Sequence, residues 1–75
     1  MSEEIGTMAG AIWQALETNG ELTLANLKKD LNAASPLFDW AIGWLAREDK
    51  IELARDRRSI LAWLKGREAQ RANAA

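Results

Sequence analysis

After Lys50 the apolar residues change period. Before it they recur every three or four positions; beyond it Ile51, Leu53 and Arg55 alternate with Glu52, Ala54 and Asp56, and Ile60, Ala62 and Leu64 alternate with Leu61, Trp63 and Lys65. A period of two belongs to a pleated strand, whose successive side chains point to opposite faces. Two such runs around Asp56-Arg57-Arg58-Ser59 predict a hairpin. Pairing 51 with 64, 53 with 62 and 55 with 60 keeps both apolar sets on one face and leaves those four residues as the loop.

The stretch before Lys50 predicts helices. Ile5, Met8, Ile12 and Leu16 form one stripe, flanked by Ala9, Trp13 and Ala15, with Glu3, Thr7, Gln14 and Glu17 opposite. Ser2 suits an N-cap with two glutamates in the first turn, and Asn19-Gly20 supplies the left-handed residue that ends such helices. Glu21-Leu22-Thr23 predicts a brief strand, and Thr23 caps a second helix carrying Leu24, Leu27 and Leu31. Ser35-Pro36 then marks a third start, serine accepting from the open amides and proline occupying the first helical position. That helix is expected to run to Arg47 or Asp49. From Gly66 onward no apolar side chain exceeds alanine, so a domain over 1–65 and a flexible tail over 66–75 are expected.

Composition narrows the chemistry. The 75 residues include no histidine, cysteine or tyrosine. The usual general base, thiolate nucleophile, softer metal ligands and phenolic acid are therefore missing, and Ser2, Ser35 and Ser59 have no histidine to activate them. The glycines at 6, 10, 20, 43 and 66 fit no phosphate-loop spacing. A non-enzymatic domain with no cofactor, no metal and no evident small-molecule substrate is expected. No disulfide or zinc site can staple so small a chain, so its stability rests on packing, with help from a partner where one is bound. The uncharged stretch from Ile5 to Leu16 is too short and too polar to span a bilayer, and the cytoplasm is the expected compartment.

Helix, brief strand, helix, helix and hairpin is the order of a winged helix-turn-helix: mainly α with a small β-hairpin, three helices and a two- or three-stranded wing sheet. The runs Ile5-Gly6-Thr7-Met8-Ala9-Gly10-Ala11-Ile12-Trp13, Asn19-Gly20-Glu21-Leu22 and, above all, Ala41-Ile42-Gly43-Trp44-Leu45-Ala46-Arg47-Glu48-Asp49-Lys50-Ile51-Glu52 resemble a family of small prokaryotic winged-helix proteins of unknown function. The resemblance covers Ile5 to Leu64. It implies the fold and no activity.

In winged helices that read DNA, the third helix offers polar and basic side chains to base edges and phosphates. Here the outward positions are Asp39, Trp40, Gly43, Trp44 and Arg47. At about 100° per residue the apolar arc runs from Ile42 round to Trp40, roughly 200° wide, where one core needs only somewhat over 100°. The excess is Trp40 and part of Trp44; spacing puts Trp44 toward the core boundary and Trp40 in the open. Trp40, Gly43, Trp44 and Arg47 recur at helical spacing, and the glycine leaves a notch between the rings or relieves crowding there. Tryptophan and arginine are enriched at interaction hot spots. On the hairpin, Leu61 and Trp63 are expected to point outward, making that strand apolar on both faces, as covered strands are. A protein-contact face comprising Trp40, Gly43, Trp44, Arg47, Leu61 and Trp63 is expected, with a homodimer or another protein as partner.

Charge supports a rival reading. Residues Met1 to Ala54 hold 4 basic and 9 acidic side chains, net −5, whereas Arg55 to Ala75 hold 6 basic and 2 acidic, net +4. Arg55, Arg57, Arg58 and Lys65 could grip phosphates or a minor groove, so wing-led DNA binding is the alternative. The same charges would also shield an exposed hairpin edge from pairing.

Overall fold

The computed structural model describes residues 2–66; the expected tail beyond Gly66 lies outside them. The order is α1 (Ser2–Asn19), β1 (Glu21–Thr23), α2 (Leu24–Asp30), α3 (Leu37–Arg47), β2 (Ile51–Asp56) and β3 (Ser59–Leu64). β3 lies between its two neighbours in the order β1-β3-β2.

Helix ends follow local chemistry. Gly20 takes a φ of 87° directly after α1, and its amide donates to the Leu16 carbonyl at 2.9 Å. Glycine has no Cβ to clash in that left-handed region. The Thr23 hydroxyl accepts from the Asn26 amide at 3.1 Å, capping α2 as expected. Ser35 departs from expectation: α3 has no side-chain cap, and the Ser35 hydroxyl instead accepts from Lys28 Nζ at 2.6 Å, tying the end of α2 to the approach to α3. The C-terminus of α3 closes with Asp49 at a φ of 62°, its amide donating to the Ala46 carbonyl and that of Lys50 to the Leu45 carbonyl. Those two bonds reverse the chain into β2.

The wing keeps the expected register, Ile51 opposite Leu64, Leu53 opposite Ala62 and Arg55 opposite Ile60. The ladder extends one pair further, to Asp56 and Ser59, so the expected four-residue loop shrinks to Arg57-Arg58, with Arg57 at a φ of 59°. On the other side Glu21, Leu22 and Thr23 pair with Trp63, Ala62 and Leu61.

The core joins all the layers. Ile12 and Leu16 of α1, Leu27 of α2 and Phe38 of α3 are essentially fully buried, packed with Ala41, Ile42, Leu45, Ile51, Ala62 and Leu64. Each large side chain there contributes about 1.5–3 kcal/mol by leaving water. No polar or charged residue is buried among those described. Among them, too, no helix is long and apolar enough to cross a membrane, and no three carboxylate, histidine or cysteine side chains gather as a metal site would need.

Candidate interaction surface

The core takes Phe38, Ala41, Ile42 and Leu45 from α3, so the opposite side of that helix stands free. Asp39, Trp40, Gly43, Trp44 and Arg47 are all exposed there. One aspartate and one arginine leave this side without net charge, and two tryptophans dominate its area.

Trp44 does not close against the body, as its place near the core boundary led us to expect. It borders an open groove of about 260 Å³ between α1 and α3, lined on the α1 side by Gly6, Ala9, Gly10 and Trp13, with Leu45 and Lys50 opposite. The cause lies in α1: where a large side chain would meet the indole, that helix offers two glycines. Trp13 is 39% exposed, Trp40 47% and Trp44 44%. Trp40 sits one turn before Trp44 and so projects from the same side of α3. Trp13 was not among the residues expected here, because its position beside the α1 stripe looked like the margin of the core. The signal available was Gly6, Gly10 and Trp13 recurring along one side of α1.

A Cβ added at Gly6, Gly10 or Gly43 would meet nothing within 4 Å. Gly43 therefore relieves no crowding among the described residues, and its bare backbone is open on that side.

The outer wing face differs from expectation. Trp63 is only 8% exposed and Leu61 is half-buried, so Trp63 is not available to a partner. β3 is the central strand, with Glu21 of β1 and Glu52 of β2 directly opposite Trp63, one on each side. Cross-strand neighbours project from the same face, so a central position removes the open flank that a two-stranded wing would leave.

Arg55, Arg57 and Arg58 are exposed at the wing tip, but Lys65 belongs elsewhere. It lies just past the far end of β3, where Nζ donates to Glu52 Oε2 at 2.7 Å and approaches Asp49 Oδ1 at 3.3 Å. The hydrogen bonds it donates to Glu52 and then Asp49, with the negative charges of both, hold the Lys65 ammonium above its ordinary pKa. Its role is to tie the end of the wing to the turn that ends α3.

A helical body with α3 docked on α1, closed by a wing sheet, defines a winged helix-turn-helix domain. The chain belongs to the family DUF2582, described as a winged helix-turn-helix domain, whose model matches residues 1–64. It is 42% identical over 65 residues to an uncharacterised protein of Methanocaldococcus jannaschii, an alignment covering 83% of this chain and 91% of that one. It is also similar to a protein of Bacteroides thetaiotaomicron solved by solution NMR, with a TM-score of 0.75, 30% identity, and coverage of 88% of this chain and 82% of the other.

Proposed function

We propose that this winged helix works as a non-enzymatic protein-contact module, docking a partner protein through the tryptophan face of α1 and α3. One observation carries the reading: Trp13 and Trp44 stand exposed on one inter-helix groove instead of closing it, and Trp40 is exposed one helical turn before Trp44. Large indoles left in water cost free energy that a partner would recover, and tryptophan anchors in a pocket are typical interaction hot spots. The open glycines let a partner backbone come close. The lack of histidine, cysteine and tyrosine supports a role without catalysis.

The test is partner retention on the immobilised full chain. Wild-type protein should hold a partner that Trp40→Ala and Trp44→Ala each release, while thermal unfolding of both variants stays near wild type. Equal retention by all three would remove the reading.

A second reading has its own support, the exposed Arg55, Arg57 and Arg58 gathered at a tight wing turn. Wing-led binding to duplex DNA would fall steeply with salt, and Arg57→Ala with Arg58→Ala would flatten that dependence by about two phosphate contacts. The α3 surface argues against base reading, because Asp39, Trp40 and Trp44 stand where donors to base edges are needed.

A further inference from the structure

Leu53 is the exposed large apolar residue that the tryptophan face does not include. It sits on the core side of the wing yet is 39% exposed, because β2 is an edge strand and the helices do not reach over it. The amide of Lys65 donates to the Lys50 carbonyl at 3.0 Å, which fixes the phase of the ladder. The Lys50 carbonyl and the backbone groups of Glu52, Ala54 and Asp56 turn toward β3, whereas those of Ile51, Leu53 and Arg55 point to the free edge. Among the described residues no strand takes them.

We propose that this edge pairs antiparallel with β2 of a second copy, around a two-fold axis at Leu53. Such an axis keeps each sheet face on its own side, so residues pair only with partners of the same facing. With Leu53 opposite the partner's Leu53, Ile51 meets the partner's Arg55, and all three outward-pointing residues find backbone partners. On the opposite face Lys50 meets the partner's Asp56, Asp56 meets the partner's Lys50, and Glu52 meets the partner's Ala54. Neither Lys50 nor Asp56 has an ion-pair partner among the described residues of its own chain.

Charge selects this register over its neighbours. Slipping one step one way sets Glu52 against the partner's Glu52; slipping the other way sets Glu52 against the partner's Asp56. Like charges directly opposite destabilise a sheet, and opposite charges support it. Edge charges normally deter pairing. Here their spacing admits one alignment, which joins two three-stranded sheets into one and covers the exposed leucines.

Light scattering of the full chain at low salt, over a concentration series reaching high micromolar, tests the pairing. The wild type should approach twice its monomer mass. Leu53→Lys, which opposes two ammonium groups at the axis, should raise the dimer dissociation constant about tenfold or more. Lys50→Asp and Asp56→Lys should each weaken the dimer, and the double exchange should restore it, with far-UV circular dichroism unchanged throughout. Trp40→Ala should leave the dimer intact, which keeps this proposal separate from the partner contact above. A monomeric wild type, a dimer indifferent to Leu53→Lys, a double exchange that fails to restore, or a dimer lost on Trp40→Ala would each overturn it.

Discussion

Trp13 and Trp44 border the same groove from two different helices, and the α1 surface beside them is glycine at positions 6 and 10. Glycine inside a helix costs roughly 0.5–1 kcal/mol relative to alanine. Among the described residues nothing occupies the space a methyl would take at Gly6, Gly10 or Gly43.

Alanine at each of these positions should therefore stabilise the isolated protein by about 0.5–1 kcal/mol, raising Tm by several degrees in so small a domain. Chemical denaturation and thermal melts check this. If the tryptophan face binds a partner backbone closely, the same stabilised variants should bind that partner more weakly. Stability and binding would then move in opposite directions.

Two charged residues hold left-handed backbone, Arg57 at a φ of 59° and Asp49 at 62°. Arg57→Gly should stabilise the wing by up to about 1 kcal/mol, since glycine adopts that region freely. Asp49→Gly should gain less, because it gives up the contact with Lys65 at 3.3 Å. Urea midpoints for the two variants should separate in that order.

Lys65 adds an alkaline signature. Its ammonium is held above the ordinary 10.5 by Glu52 and Asp49. A raised folded pKa means the stabilisation is fully present below 10.5 and is lost as pH rises through the folded value. The stability difference between wild type and Lys65→Met should be constant through neutral pH and vanish in strong alkali. A difference that persists there would place the contribution in the packing of the lysine stem.

Core and face should respond very differently to truncation. Phe38→Ala removes a buried ring at the centre of the body and should cost about 3–5 kcal/mol, comparable to the whole stability expected of such a domain. Trp40→Ala takes away an exposed ring and should stay within about 1 kcal/mol. Equilibrium unfolding distinguishes the two.

Much of the fold was legible because local signals agreed. The alternation on both sides of Arg57-Arg58 set the hairpin register, Asn19-Gly20 ended α1, and Thr23 capped α2 as its side chain suggests. Ser35 misled because a serine before a helix can serve a nearby lysine as readily as an amide. The surface was less legible, since exposure depends on the neighbouring element as well as on the residue. Trp44 is open because α1 presents glycines beside it. Trp63 is closed because β1 adds a third strand at Glu21, and nothing within the hairpin's own sequence announces that strand. Lys65 looked like part of the wing's positive charge until its two carboxylate neighbours were in place.

The position of β3 also governs how the chain can be assembled. Among the described residues of one chain, both other strands pair only with Ser59–Leu64, the last of the described elements in sequence order. During synthesis β1 and β2 therefore emerge without a neighbour, and the sheet cannot begin to form until the ribosome has released nearly the whole domain. Until then the nascent protein can organise only its helices, and Ala62 and Leu64 arrive last to seal a hydrophobic interior that has been waiting for them.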